Sequence, residues 1–543
     1  MKIYIKIFFL AFALINTTTS NAASNEPILI SNPNNGSIDR FLFNFESSEY
    51  LVFNQQNQNE SLDQISIDIN DPLSPFLLRN NLSLRESNFI FDDDDSRILG
   101  IDNANNRIIS SFLNGDSLIE LAAPNIDIIN AISVENANTS LQVFTTSDGQ
   151  LYSINSDGSE PATLLSSNLF SGPFGLDFVD RFRISRDRQT VVFSAFLNFF
   201  QRQQIFTVPI DGSADPVLIH TLPFDSDVDA LFNFSIDNQK VVYIVETFFD
   251  NSIETLTLYS TAIDGSSAPI SLGSVTGETV DIDFELSSDG NFLVYSLQNI
   301  SLDLLDAPSQ TADSIGDALF ASSLEGQNQT IISIGSLIQD ADISRDSQNI
   351  IYTRRPFFDE FGFSNLFSAT YSEQGSQSTS LFINNNQGQT GGVNEREFII
   401  SRDSKYVIFL DAIGNLNRAI IDGSSPTINL LSKISPNAVV EGFRLLGQNP
   451  VIVFYGDLNQ LGLNQLHSIN FDSSNFTTLS LPDNGNVTRL TTSFVGNHVA
   501  FGTGTDPVTR DPTALYLTEV NLEPEPLCFP IKAQNGNFVT ICL

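Results

Sequence analysis

The stretch "ISRDSKYVIF" (residues 400–409) reads as a strand end, a polar turn and an apolar strand, and near-copies of it recur along the chain. They are "ISRDRQTVVF" from Ile184, "FSIDNQKVVY" from Phe234, "LSSDGNFLVY" from Leu286 and "ISRDSQNIIY" from Ile343. Their aspartates, Asp187, Asp237, Asp289, Asp346 and Asp403, are separated by 50, 52, 57 and 57 residues. A period of this length marks stacked supersecondary units rather than separate domains. In the Ser-x-Asp turn the side chains can accept backbone N–H groups two residues on. The apolar triplet that follows, such as Val191-Val192-Phe193, suits a strand buried on both faces.

A second signal follows each first one. "LYSINSDGS" from Leu151, "IFTVPIDGS" from Ile205, "LYSTAIDGS" from Leu258 and "LNRAIIDGS" from Leu416 all end in Asp-Gly-Ser, and "LFASSLEGQ" from Leu319 is a degraded copy. Asp-Gly between two apolar runs marks a hairpin whose turn needs positive φ. Each unit therefore holds four antiparallel strands, which describes a propeller blade. The predicted fold is all-β, a β-propeller of four-stranded antiparallel blades.

The pairing of "SxDxxxφφ(F/Y)" with "LYxxxxDG", where φ is apolar, resembles the TolB-like propeller repeat, known from a periplasmic translocation protein and from exported peptidase propellers. The clear copies run from about Phe182 to Ser424, and degraded ones extend both ways, from "FESSEYLVF" at Phe45 to "VGNHVAFG" at Val495. About ten candidate units result, more than the usual four to eight. They fit one large ring or two fused rings. The resemblance implies a fold; propellers host many unrelated activities.

The formal net charge is −39 and hydrophobic residues make up 41% of the 543. Nucleic acid and anionic membrane are excluded as partners, because both need positive potential. At the N-terminus Lys2 and Lys6 precede the apolar run Ile7 to Ile15, with small residues Ser20 and Ala22 beyond it. This reads as a signal peptide over 1–22, too short to span a bilayer. The expected address is export to the periplasm, cell surface or medium, with no membrane span in the mature chain. Repeats are expected over 38–525. The tail 526–543 holds Cys528 and Cys542, the chain's two cysteines, on either side of Asn535-Gly536. That spacing predicts a hairpin closed by a disulfide in an oxidising compartment, either docked on the last blade or recognised by a partner.

Catalytic constellations are scarce, and no catalytic residue is assigned. There is no G-x-S-x-G elbow, and His220, His467 and His498 fall in three different units. Two features remain. Acidic residues recur just before the expected first strand of successive units: Asp177 and Asp180, Asp227 and Asp229, Asp281 and Asp283, Asp340 and Asp342, Glu395 and Glu397. First strands line a propeller's channel, so these would crowd one mouth of it. Loops between second and third strands are rich in phenylalanine: Phe196, Phe199 and Phe200; Phe248 and Phe249; Phe357, Phe358, Phe361 and Phe363, beside Arg354 and Arg355.

Two functions are compatible with this pattern. The first is a non-catalytic propeller that binds a protein or cell-envelope component through Phe199, Phe200, Phe248, Phe249, Arg354, Arg355, Phe357 and Phe358. The second is a metal-dependent hydrolase or lyase, with calcium held by carboxylates such as Asp229, Asp283, Asp340, Asp342 and Glu397.

Overall fold

The computed structural model describes residues 27–520 except for stretches of which 122–140, 170–177, 302–314, 372–379 and 385–391 are among the longest, together with the backbone of two strands at Cys528–Lys532 and Phe538–Cys542. Every regular element among these residues is a strand. The strands build antiparallel sheets in simple sequence order. Among the described residues they make ten blades, at 38–82, 90–121, 141–164, 178–221, 226–277, 281–336, 336–382, 393–429, 439–478 and 487–519. The third shows three strands; the sixth and seventh are fused into one seven-stranded sheet by a single 14-residue strand, Thr330–Ile343.

Each motif acts locally as its chemistry requires. In the turn at Ser287, the Ser287 hydroxyl donates to Asp289 Oδ1 at 2.7 Å and accepts the Phe292 N–H at 3.1 Å. Asp289 Oδ1 also accepts the Asn291 N–H at 3.1 Å. The same three contacts recur at Ser185, Ser235, Ser344 and Ser401. The residue after each aspartate is left-handed: Arg188, Asn238, Gly290, Ser347 and Ser404. Three of these side chains also accept the aspartate N–H of the preceding blade's turn, at 3.0–3.2 Å, so neighbouring turns are tied together. In the Asp-Gly turns the carboxylate takes the N–H two residues on, as in Asp264 to Ser266 at 2.9 Å, and Gly265 sits at φ 71°.

The apolar triplets alternate between two interfaces, as strands with two buried faces must. Val241, Tyr243 and Val245 belong to the cluster shared with blade 4, Val242 and Ile244 to the cluster shared with blade 6. At one register of seven blades an aromatic side chain of the second strand meets an aromatic of the third, from Phe144–Tyr152 at 5.6 Å to Phe501–Tyr516 at 5.3 Å. Such pairs contribute about 0.5–1.5 kcal/mol each beyond their burial.

Among the described residues, ten apolar clusters fill the ten gaps between successive blades, and one of them joins the last blade to the first. The chain is one closed ring, so of the two arrangements compatible with the repeats the single ring holds. Closure comes from the N-terminal side. Ile28–Leu29 pairs with the strand Ala514–Glu519 as the outer strand of blade 10 (Ile28↔Leu517, Leu29↔Tyr516), and the Ile30 N–H donates to the Leu515 carbonyl at 3.0 Å. The outer place on the last blade is therefore taken by this strand. The C-terminal hairpin forms a separate two-stranded sheet, with Cys528 opposite Cys542 in its register.

Candidate functional site: the acidic channel mouth

The antiparallel order puts the Ser-x-Asp and Asp-Gly turns on one face of the ring. The loops between second and third strands and the starts of the first strands lie on the other. First strands of adjacent blades touch, at blades 4–5, 6–7, 7–8, 9–10 and 10–1, and form the inner wall.

Most of these first strands are irregular near their start. In seven blades the ladder between first and second strand shifts register there. The residues skipped by the shift include an acid in five of them: Asp39, Asp180, Asp229 in the skipped 229–231, Glu395 and Glu397 in the skipped 394–397, and Glu441. A bulge leaves its extra residue out of the pairing and re-aims it. The buried phenylalanine just beyond, such as Phe182 or Phe443, anchors the strand between blades. Acid-x-Phe is thus a local device for presenting a carboxylate at the mouth in Asp180-Arg181-Phe182 and Glu441-Gly442-Phe443, and the sequence Asp39-Arg40-Phe41 repeats it at the bulge of blade 1. Asp180 is exposed, accepts Gln203 Nε2 at 3.2 Å and pairs with Arg181 Nε at 3.4 Å.

Blade 6 has a regular first strand, and its period of two exposes Asp281, Asp283 and Glu285 on one side. Asp283 and Glu285 line a cavity of about 140 Å³ shared with Asp340, Ser296 and Gln298 at the junction with blade 7. Asp342 lies close enough to Asp340 to feel its charge: burial first, then that charge, pushes the Asp342 carboxyl up, against the Ile343 N–H that its Oδ1 accepts at 2.7 Å. Behind the cavity Asp317, buried and raised in pKa by desolvation, accepts the Asn299 N–H at 3.0 Å and the Ile338 N–H at 2.7 Å. It pins the shared strand where that strand passes from blade 6 to blade 7.

Of the proposed metal ligands, the structure brings Asp283, Asp340 and Asp342 to one blade junction. Asp229 and Glu397 are placed on first strands of blades 5 and 8, with side chains outside the described residues. Among the described residues no three His, Cys, Asp or Glu side chains converge in an arrangement that could hold a metal ion. Glu285 is missing from the sequence-based ligand set, although its alternation with Asp281 and Asp283 in "DIDFEL" is the signal that places it.

The aromatic set is partly described. Phe248 is 49% exposed at the end of its strand. Phe196 packs at 5.0 Å against Phe178, a 42% exposed residue at the start of blade 4 absent from the sequence-based set. Both lie on the face of the acidic mouth. Phe249 continues its strand, with its side chain outside the described residues, and Phe199, Phe200, Phe357 and Phe358 lie outside them altogether. Arg354 is half-buried with its guanidinium 4.5 Å from the Phe367 ring centroid and Nη1 3.5 Å from Ser333 Oγ; Arg355 is half-buried too. Two of the histidines are packed between aromatic rings: His220 bonds the Tyr243 hydroxyl at 2.8 Å, His467 lies between Phe454 and Phe476, and burial pushes both down to about 4.

This sheet order defines the class of protein, a β-propeller. No protein-family model and no curated protein matches the chain. Solved structures similar to it include Porphyromonas gingivalis dipeptidyl peptidase 4 (9% identity, 83% of this chain and 63% of that one, TM-score 0.42). Others are a eukaryotic initiation factor (10%, 94% and 96%, 0.40) and a prolyl endopeptidase (15%, 67% and 52%, 0.34). The chain spans about half the length of the prolyl endopeptidase. Likenesses this distant carry no argument about activity.

Proposed function

We propose that the protein is an exported, non-catalytic propeller that binds a macromolecular partner, a protein or cell-envelope component, through the acidic face. The repeat's resemblance to TolB-like propellers and the N-terminal targeting pattern support export. One observation carries the binding role: the exposed carboxylates of Asp180 and Glu441, raised on first-strand bulges, share a face with those of Asp281, Asp283 and Glu285, and exposed Phe178, packed on half-buried Phe196, lies with exposed Phe248 on that same face. Aromatic anchors beside a charged rim are what a protein interface uses. The charge selects a partner that presents basic groups. Pull-down from envelope extract tests this. Recovery of a partner that is lost with Phe178→Ala plus Phe248→Ala, at unchanged melting temperature, supports the reading; equal recovery contradicts it.

The carboxylate-lined cavity of blades 6 and 7 favours a second reading, a calcium-dependent hydrolase or lyase. Elemental analysis and thermal shift with a chelator separate the two: stoichiometric calcium and a lowered melting temperature support the enzyme.

A further inference from the structure

Two arginines stand side by side on the opposite face. The middle residue of the Ser-x-Asp turn is Arg345 in blade 7 and Arg402 in blade 8, and the Asp346 N–H donates to Ser404 Oγ at 3.0 Å, which holds the two turns together. The aspartates of these turns are engaged elsewhere. Asp346 Oδ1 accepts Ser344 Oγ and the Gln348 N–H; Asp403 Oδ1 accepts Ser401 Oγ and the Lys405 N–H, and its Oδ2 lies 3.8 Å from Lys405 Nζ. Among the described residues neither arginine is in an ion pair, in a chain with 64 acidic and 25 basic residues. Arg402 Nη1 is buried without a hydrogen-bond partner.

Blade 10 supplies the third element. Its turn follows the same plan, with the Ser493 N–H donating to the His498 carbonyl at 2.9 Å and the His498 N–H to Ser493 Oγ at 3.0 Å. Phe494 stands where blades 7 and 8 have arginine, and Phe494 and Val495 are 47% and 45% exposed. The Arg402 guanidinium reaches across blade 9 to lie 4.3 Å from the Phe494 ring centroid. Blade 9 leaves room because its turn carries Gly447, where a Cβ would meet the Phe494 carbonyl oxygen at 2.8 Å. Burial first and Arg345 second hold Arg402 below its ordinary pKa. Like charges placed together beside apolar surface are unfavourable until an anion bridges them.

We infer that Arg345, Arg402 and Phe494 form a clamp for a ligand that carries one anionic group on a flat apolar body. The anion bridges the guanidiniums, whose planar forks match a carboxylate or a phosphate, and the body packs along Phe494 and Val495. The surrounding turn aspartates repel extended polyanions, so the site selects a single charged group.

The test titrates the full-length protein with 2-naphthoate, 2-naphthyl phosphate and neutral 2-naphthamide, followed by naphthalene fluorescence; the chain has no Trp to interfere. At least one anion is expected to bind about tenfold or more tighter than the amide, and which anion binds tighter identifies a carboxylate or a phosphate source. Arg345→Gln and Arg402→Gln should each remove that preference, while Phe494→Ala weakens all three probes. Equal affinity for naphthoate, naphthyl phosphate and naphthamide, or a preference unchanged by both arginine variants at wild-type melting temperature, overturns the proposal. Arg345 is exposed, so its variant keeps the test valid if Arg402→Gln misfolds. Phe178→Ala plus Phe248→Ala, on the other face, should leave probe binding unchanged, which separates this site from the partner surface.

Discussion

Replacing Ser287 by Ala tests the turn that sets the repeat. Its hydroxyl is buried in a residue 1% exposed, donates to Asp289 Oδ1 and accepts the Phe292 N–H. Removal leaves a buried N–H without its acceptor, which costs about 1–3 kcal/mol, and also loses a bond to a charged oxygen. Asp289 lies largely in solvent, so Asp289→Ala should cost about 1 kcal/mol. We therefore expect about 2 kcal/mol for Ser287→Ala, and a double-mutant coupling near 1 kcal/mol because the pair shares one bond. Over a ring this large the shift in melting temperature is small, roughly 1 °C per kcal/mol by the per-residue entropy of unfolding. Native-state hydrogen exchange is the sharper assay, with the Phe292 amide exchanging about 30-fold faster in Ser287→Ala if it opens locally. A smaller effect from Ser287→Ala than from Asp289→Ala would refute the hydrogen-bond hierarchy assigned to the turn.

Buried His220 and His467, lowered to about 4, favour the folded state fully above the unfolded value near pH 6.5. Below it the unfolded chain binds the extra protons, so stability should fall by up to about 1.4 kcal/mol per pH unit per histidine down to pH 4, and His467→Gln should flatten the urea midpoint across that window. Asp237 is held low by the Ser235 hydroxyl and then the Gln239 N–H, so it adds a loss that begins below its unfolded pKa near 3.8. Gly456→Ala should destabilise far more than Gly462→Ala in thermal melts. A Cβ at Gly456 would meet the Val439 carbonyl at 2.3 Å, whereas at Gly462 only φ 71° opposes it, at about 1–2 kcal/mol. With Cys528 opposite Cys542, no thiol should titrate in the folded protein after air oxidation, and Cys528→Ser plus Cys542→Ser should lower hairpin stability by about 3 kcal/mol; two reactive thiols would contradict the proposed bridge.

The turns and the buried triplets were legible because each rests on local chemistry: a hydroxyl and carboxylate at fixed offsets, a glycine at positive φ, alternation over two interfaces. The closing strand was not. Ile28–Leu29 is two residues long, carries no motif, and gains its partner only once nine other blades have brought Leu517 back to it. The fusion of blades 6 and 7 was hidden for the opposite reason, since "TIISIGSLIQDADI" contains no turn signal and simply continues as one strand. At the mouth the acids were visible as a recurrence, but the bulges that present Asp180 and Glu441 depend on pairing with the second strand. Phe178 carries no signal in the sequence, because it precedes its strand's apolar pattern and meets Phe196 only across the ladder.

Only closure into one ring sets all first strands around a common mouth. Ile28→Cys with Leu517→Cys, in a Cys528→Ser and Cys542→Ser background, tests closure directly. Directly paired residues of antiparallel strands have Cα atoms about 4.5–5.5 Å apart, within the range a disulfide spans. Oxidation of the folded protein should give a monomeric cross-link that joins the two ends of nearly the whole chain, seen as a reducible mobility shift. Thiols that stay free under the same oxidation, or that link only separate molecules, would contradict the closed ring.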